Sequence, residues 1–356
     1  MTRLQLFVSK PSGLVLTAEK RGEIFRNTFN VLYAVQTLRL FSFVWLYWFA
    51  QKYEYLLLRP KDIFFYEHAL PRFLMPSLPS QPVVYTLVGL VVVCNLYQLL
   101  RVRTQVLLQL AVALGILWLN LVLWGYGFLS HINHLFVLAN LFLVFIPVSR
   151  KALLNPSVYL HQSINWFYAG LLFTYTLAGL WKVPSLAYKL IFAPDYIHWL
   201  HPKAALVNSI VSHRNLDLDF TLTLLFTSFP LLWQVGFLVM VYLQVSSVFG
   251  AFRLSFRPWV GLFLLVFHTL NMLVFKVYFE VTSITILCLF MPYDLLLRKA
   301  LSRDVSSEQA RTPMLATSFE RFRSRLGKRA FYLAGPLYLP GLRSLAKLMH
   351  RVYSRP

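Results

Sequence analysis

Residues 105–125 read QVLLQLAVALGILWLNLVLWG, a run of 21 residues that contains no charged side chain. A helix of about 20 apolar residues spans the hydrocarbon core of a bilayer, which is about 30 Å thick. Runs of similar character recur along the chain, and the whole sequence is 58% apolar and only 13% charged. Soluble domains carry about 25% charged residues. The composition therefore excludes an ordinary soluble domain and predicts an all-α, polytopic helical membrane protein.

Eight apolar segments occur along the chain, this stretch among them, and each is predicted to form a transmembrane helix. They cover approximately residues 31–50, 83–100, 105–125, 134–148, 162–181, 220–251, 258–277 and 280–297. Pro230 is expected to separate a short first piece of the sixth segment from the span proper, and Pro147 to close the short fourth segment. The predicted organisation is an N-terminal segment 1–30, a transmembrane helical domain 31–297 and a basic tail 298–356.

The distribution of Lys and Arg predicts the orientation of these spans. Basic residues cluster after the second, fourth and sixth segments and in both terminal segments, whereas the connections 126–133 and 278–279 contain none. Lys and Arg accumulate on the cytoplasmic side of membrane proteins. We therefore expect a multi-pass protein of the cell membrane with both termini cytoplasmic, and we expect the long connections 51–82 and 182–219 to face outward.

The net charge of +21 has its densest concentration in the tail. In a soluble protein such a charge would suggest nucleic acid as the partner. Within residues 342–352, however, apolar residues recur at helical spacing with basic residues between them, as in a helix that lies on a membrane surface. We therefore predict that the tail binds anionic lipids and that nucleic acid is not a partner; a solvated basic extension is the alternative.

Polar side chains inside the apolar segments are the candidate functional residues, because a charge at the centre of a span costs about 2.5–3.5 kcal/mol on insertion scales. The candidates are Arg39, His131, His134, Lys182, His268, Asn271, Lys276 and Glu280. With the predicted orientation, His134, Lys182 and Lys276 all fall in the outer half of the membrane. This convergence favours an outward-facing site.

Each candidate also has a structural interpretation. The two lysines could extend to the membrane interface, and His268 and Asn271, which share one helix face, could form hydrogen bonds between helices. Arg39 could pair with Glu280 or with backbone carbonyl groups. The residues alone leave these alternatives open.

Metal binding is not predicted, although two His-containing stretches have the one-turn spacing of metal ligands. These are His131-x-x-His134 and Asp195-x-x-His198-x-x-His201. Pairs of this kind arise by chance, and no glutamate stands in a zincin-like arrangement. Motifs for nucleotide binding and the Gly-x-Ser-x-Gly elbow of hydrolases are also missing from the sequence.

Three short motifs occur in order along the chain: NHLF at 133–136, AGLWK at 178–182 and FHTLN at 267–271. The first is similar to an Asn-His pair followed by an apolar span, the second to Ala-Gly-x-Lys-Lys, and the third to Phe-His-x-x-Asn. Together they resemble the horizontally transferred transmembrane domain family, which includes the membrane part of vitamin K-dependent gamma-carboxylase. The resemblance covers roughly residues 25–297.

This resemblance implies a helical domain whose outward-facing cavity takes a reduced quinone similar to vitamin K. In the carboxylase a lysine base deprotonates the hydroquinone, oxygen adds, and the strong base so formed removes a proton from a glutamate, to which carbon dioxide then adds. Lys182 matches the lysine base and His134 the histidine beside it. Trp181 stands where the carboxylase has a first lysine, and Gln244 replaces an acidic residue. The other candidates, with Trp181, are expected to line the quinone pocket.

Two functions from different classes follow. The first is a quinol- or lipid-dependent membrane oxidoreductase or carboxylase-like enzyme with Lys182 as base, acting on a peptide or protein substrate. A lysine in an apolar pocket can accept a proton near neutral pH. The second is a non-enzymatic accessory factor for peptide maturation or export, which would tolerate replacement of Lys182. Solute transport is disfavoured because the sequence lacks paired broken helices and internal repeats.

Overall fold

The computed structural model describes residues 18–58, 75, 77–126, 131–154, 157–215 and 217–297. This part of the chain is all-helical, without a β-strand, and an isolated antiparallel bridge pairs Arg103 with Ser149. Its α-helices are α1 (Ala18–Leu58), α2 (Gln81–Arg101), α3 (Val106–Tyr126), α4 (His134–Phe142), α5 (Arg150–Leu154), α6 (Val158–Phe192), α7 (Ala204–Asn215), α8 (Thr223–Ser228), α9 (Pro230–Ser246), α10 (Arg257–Phe275), α11 (Glu280–Phe290) and α12 (Tyr293–Leu296). Short 3₁₀ turns cover His131–Asn133, Leu143–Phe145 and Ser247–Phe252.

Five helical stretches in the described residues are long and apolar enough to cross a membrane. They are Lys20–Leu58, Gln81–Arg101, Val106–Tyr126, Pro230–Phe252 and Arg257–Phe275. They coincide with the first, second, third, sixth and seventh predicted segments. Only 28% of the most apolar stretch of α2, and the same share of that of α10, is buried within the chain. Apolar helix surface that no other helix covers is suited to contact with lipid.

The other three predicted segments are represented differently. Two shorter apolar helical stretches, His134–Phe145 and Glu280–Phe290, cover the fourth and the eighth. Because a helix rises about 1.5 Å per residue, stretches of this length fall short of the roughly 30 Å hydrocarbon core. The fifth segment lies within the 35-residue helix α6. The count of eight spans and the cytoplasmic position of the termini therefore remain predictions.

Proline positions confirm two local predictions. Helix α8 ends at Ser228 and α9 begins at Pro230, whose missing N–H is harmless in a first helical turn. The helical stretch that starts at His134 ends at Phe145, two residues before Pro147. Helix α1 runs without a break through residue 30, where the N-terminal segment was predicted to end, and the domain boundaries stay predictions. The predicted tail 298–356, with its amphipathic stretch 342–352, lies outside the described residues.

Helix α1 lies at the centre of the bundle. Its most apolar stretch is 67% buried, and it packs against α2, α3, α6, α11 and α12. Aromatic side chains contribute to the packing of α1: the rings of Tyr33 and of Tyr293 on α12 are stacked with centroids 6.1 Å apart, and the ring of Trp45 lies 5.2 Å from that of Phe136 on α4. Large rigid rings bury much apolar area with little loss of side-chain freedom. Helix α6, which carries Lys182, is held against this central helix, and α9 packs along the same helix α6.

Candidate functional site

Lys182 lies on α6, and its side chain is half-buried against α9. The ammonium Nζ donates to Oε1 of Gln244 at 2.9 Å and to the carbonyl oxygen of Ala178, one turn earlier, at 3.1 Å. Gln244 is buried. Both of these acceptors are neutral. Lys182 is therefore held by an amide, at the position where the resemblance predicts the replacement of an acidic residue.

Gly179 creates the close contact between α6 and α9 that brings Lys182 to Gln244. A Cβ atom at residue 179 would lie 2.9 Å from the backbone nitrogen of Val245 and 2.9 Å from Cβ of Gln244. One turn earlier, Oγ1 of Thr176 is 3.1 Å from Oγ of Ser247 in the 3₁₀ turn that follows α9. Small and hydroxyl-bearing residues at such positions let membrane helices approach closely.

Gly179→Ala is expected to lower the free energy of unfolding by about 1–3 kcal/mol, because the added methyl meets backbone that cannot rotate away. Gly236→Ala on α9 is the matched control, since nothing lies within 4 Å of a Cβ there. The control should raise the free energy of unfolding by about 0.5–1 kcal/mol, because alanine loses less conformational entropy than glycine when the helix forms. Thermal unfolding of both variants in detergent measures the difference. Equal effects of the two substitutions would contradict the assigned contact.

His268 on α10 extends the polar surface along α6. Its Nε2 is 2.9 Å from the hydroxyl of Tyr175, which lies two helical turns before Lys182 and therefore on the same side of α6. His268 is 4% exposed and is packed against the ring of Phe279, with 4.6 Å between the ring centroids. Its Nδ1 is buried without a hydrogen-bond partner. The interhelical hydrogen bond that the sequence allowed for His268 is thus confirmed.

The chain after α6 folds back beside Lys182. The indole Nε1 of Trp199 donates to the carbonyl oxygen of Lys182 at 2.8 Å, and Nε2 of Gln234 on α9 donates to the carbonyl oxygen of Leu200 at 2.9 Å. Both contacts lie in the predicted outward-facing connection 182–219. They anchor this connection to the two helices that carry Lys182 and Gln244.

Three further candidates, Asn271, Lys276 and Glu280, lie in the last turns of α10 or shortly after it. The side-chain amide of Asn271 donates to the carbonyl oxygen of Phe267 in its own helix at 2.7 Å, so it does not bond between helices. Lys276 caps α10 in the left-handed conformation, with φ of 54°. Glu280 is exposed at the start of α11 and makes no salt bridge with Lys276 among the described residues. These three residues are near one another along the chain but do not form a single polar group.

His134 is exposed at the first residue of α4, where its ring packs edge-on against Trp124 with centroids 5.0 Å apart. The side chain of Lys182 bonds to Ala178 and Gln244, so the structure does not join the two predicted catalytic residues by a hydrogen bond. Trp181 is 75% exposed. The side chain of His131 lies outside the described part of the chain.

Arg39 takes part in a separate contact, between α1 and the end of α2. Its Nη2 donates to Oγ1 of Thr104 at 2.9 Å and to Oε1 of Gln98 at 3.2 Å, and its Nη1 to the carbonyl oxygen of Gln98 at 3.4 Å. The backbone interpretation of Arg39 is therefore confirmed, and pairing with Glu280 is not found. The guanidinium stabilises the contact of α1 with α2 rather than the surroundings of Lys182.

A small cavity lies between α9 and α10 beside Gln244. Its volume is about 10 Å³, and its walls are otherwise apolar, with Leu243, Val260 and Phe263 among them. A water molecule needs about this much space. The cavity therefore holds at most one water molecule, and the ring of a quinone does not fit inside it.

A buried polar network at one end of the bundle was not predicted from the sequence. Arg257, which is 3% exposed, donates to Oδ1 of Asn27 at 2.7 Å, to Oδ1 of Asn165 at 3.1 Å and to the carbonyl oxygen of Ala251 at 2.7 Å. The amide of Asn27 in turn lies 2.8 Å from Nδ1 of His161. In the sequence Arg257 had the character of a basic loop residue. Its position next to Pro258, a frequent first-turn residue, was the available signal that it begins a helix.

Metal ligands are not grouped in the described residues: no set of three or more His, Cys, Asp or Glu side chains there could hold an ion. The rings of His198 and His201, which share one-turn spacing in the sequence, have centroids 5.8 Å apart. Comparison of the chain with protein-family models, with curated proteins and with solved structures found no match. Function is therefore inferred from the side chains around Lys182.

Proposed function

We propose that this chain is an integral protein of the cell membrane, with about eight transmembrane helices and cytoplasmic termini, and that it is a quinol- or lipid-dependent oxidoreductase or carboxylase-like enzyme. The hydrogen bond of 2.9 Å between Lys182 and the neutral Gln244 carries this proposal. The motifs at 133–136, 178–182 and 267–271, which resemble those of the gamma-carboxylase family, support it independently. A peptide or protein is the proposed substrate.

Lys182 is suited to the role of a general base because its side-chain partners carry no negative charge. A carboxylate partner would favour the protonated form of the lysine. The neutral Gln244 only orients Nζ of Lys182. The protonated amine has three N–H donors, and Ala178 and Gln244 accept two of them. In the neutral amine the third position is a lone pair, which is left to accept the proton of a substrate hydroxyl.

A quinone fits the chemistry of this surface but not the enclosed cavity beside Gln244. Lys182 supplies a donor for a ring oxygen, and the side chain of the adjacent Trp181 is an exposed aromatic surface. Apolar and aromatic walls with a few polar groups are typical of cofactor sites. We therefore propose that the quinone lies on the exposed side of α6, with its ring beside Trp181 and a ring oxygen towards Lys182.

A bound hydroquinone would supply an acidic hydroxyl and two electrons. Lys182, in its neutral form, would accept the hydroxyl proton at Nζ while Gln244 keeps the amine oriented. Two turns earlier on α6, the hydroxyl of Tyr175 and Nε2 of His268 form a second polar pair on the same face. His134 keeps the stabilising role implied by the resemblance, and the remaining candidates stay proposed lining residues.

Quinone content is the direct test. The protein is purified in a neutral detergent, extracted with organic solvent and analysed by mass spectrometry, with an unrelated polytopic protein from the same membranes as control. We expect about one quinone per chain above the control. Phospholipids alone, at the level of the control, would contradict the proposal.

A non-enzymatic accessory factor for peptide maturation or export is the second candidate. Its support is that both bonds of Lys182 also serve packing, one within α6 and one from α6 to α9. The water-sized cavity beside Gln244 agrees with such a structural role. In this case Lys182→Ala would preserve function, and changes in the connection 182–219, such as Trp199→Ala, would impair it.

A further inference from the structure

A basic cleft lies far from Lys182 along the chain, where the connection of α2 to α3 meets the start of α5. Its volume is about 780 Å³. Four basic side chains line it, two from each segment, and none of its lining residues is acidic: Arg101, Arg103, Arg150 and Lys151. All four are exposed, and none makes a salt bridge in the described part of the chain.

Backbone pairing holds the two basic segments side by side. The N–H of Thr104 donates to the carbonyl oxygen of Val148 at 2.8 Å, and an antiparallel bridge joins Arg103 to Ser149. These contacts keep the side chains of Arg103 and Arg150 on the walls of one cleft despite their distance in sequence. The arrangement is a built concave site rather than a flexible charged loop.

A fifth cation lies beneath this cleft. Arg39 is 2% exposed, and its Nη2 reaches Thr104, which is one of the lining residues. Its partners are amide, hydroxyl and carbonyl groups, and its Nε has no hydrogen-bond partner. A buried charge without a counter-charge is costly. A negative group in the cleft above would compensate it.

Helix α3 adds to the positive field because it begins at Val106, on the wall of the cleft. The N-terminus of a helix carries a partial positive charge and free N–H groups that suit phosphate. Apolar side chains adjoin the basic ones: Leu100 on α2 and Leu107 on α3 are both strongly exposed. A headgroup in the cleft could thus continue into acyl chains along these two helices.

We propose that the cleft binds the phosphate headgroup of an anionic phospholipid, whose acyl chains lie against the exposed apolar surface of α2 and α3. The shared chemistry is a phosphate group, which a soluble phosphate ion would also offer. The adjoining leucines favour the lipid. This site is distinct from the proposed tail–lipid contact and does not depend on the function proposed for Lys182.

Native mass spectrometry of the purified chain tests the site, with dioleoyl-phosphatidylglycerol, dioleoyl-phosphatidylcholine or inorganic phosphate added in neutral detergent. The variant Arg103→Gln/Arg150→Gln/Lys151→Gln removes three lining charges. Its control, Lys189→Gln/Lys203→Gln/Arg214→Gln, removes three charges elsewhere in the described chain. We expect one tightly held phosphatidylglycerol per wild-type chain, bound about 100-fold more weakly by the cleft variant and unchanged in the control.

Equal loss in both variants, or no loss in the cleft variant, would overturn the proposal. So would binding of inorganic phosphate without preference for phosphatidylglycerol over phosphatidylcholine. If the triple variant does not elute as a folded protein, Lys151→Glu replaces it, because Lys151 is an exposed lining residue whose substitution disturbs no packing. Charge reversal at Lys151 should weaken phosphatidylglycerol binding at least as much as replacement of Lys151 alone by a neutral residue.

Discussion

Lys182→Met is expected to remove the bound quinone, from about one per chain to the background level, while the protein remains folded. Methionine keeps the length and apolar character of the lysine stem but cannot donate to a ring oxygen or to Gln244. The loss of one charge-assisted hydrogen bond costs about 1.5–3 kcal/mol, which corresponds to roughly a 10- to 150-fold weaker affinity. Extraction and mass spectrometry of equal amounts of wild type and variant measure the change.

The matched control is Lys189→Met, two turns later on the same helix. Lys189 donates to the carbonyl oxygen of Ile197 at 3.2 Å, so the control also removes a lysine that bonds to a backbone carbonyl. It should retain the quinone. A further variant, Gln244→Leu, removes only the neutral acceptor and should weaken retention less than Lys182→Met. Full retention in Lys182→Met would rule out Lys182 as the quinone ligand and favour the accessory factor.

Arg257→Met should produce the largest loss of stability, about 2–4 kcal/mol in the free energy of unfolding. The substitution leaves buried oxygens of Asn27 and Ala251, and a partly buried oxygen of Asn165, without the guanidinium that bonds them. Each buried polar group that loses its partner costs about 1–3 kcal/mol. The stacking of the guanidinium over the Tyr168 ring, 3.8 Å from its centroid, is lost as well. Thermal unfolding in detergent, followed by the monomer fraction on size exclusion, gives the magnitude.

Arg214→Met is the control for this effect, because Arg214 is exposed at the end of α7. We expect it to change the free energy of unfolding by less than about 0.5 kcal/mol, as is usual for surface positions. Equal melting temperatures of Arg257→Met and wild type would show that the network contributes nothing to folding. Arg257→Lys should recover only part of the loss, since one ammonium cannot reproduce the planar fork of bonds.

Helices α2, α3 and α10 were predictable because each lies largely in a long uncharged run. Nearly every residue of a membrane span has to be apolar, so such a run indicates the helix directly. Segments near 105–125 and 258–277 correspond to helices with ends within a few residues. Helix α1 was harder. Its first turns contain charged residues, and nothing in the local pattern indicates that it continues from Ala18 through Leu58. Burial against neighbouring helices determines its extent.

The residue types of the candidate site were identifiable in the sequence, but their partners were not. Lys182 and Gln244 are 62 positions apart, and Tyr175 and His268 are 93 apart. Helical periodicity relates residues three, four or seven positions apart, so it carries no information on pairs between helices. The same limit hid the contact of Arg39 with Thr104 and the role of Arg257.

The sequence by itself determined that this protein is helical, where most of its apolar helices lie, and which polar side chains stand within them, because each of these follows from local composition and spacing. Only the tertiary structure decided which of those side chains meet. Gly179 sets the distance between α6 and α9, and the pairing of two short connections forms the basic cleft. Contacts of this kind depend on the packing of elements distant in the chain, and no local pattern encodes them.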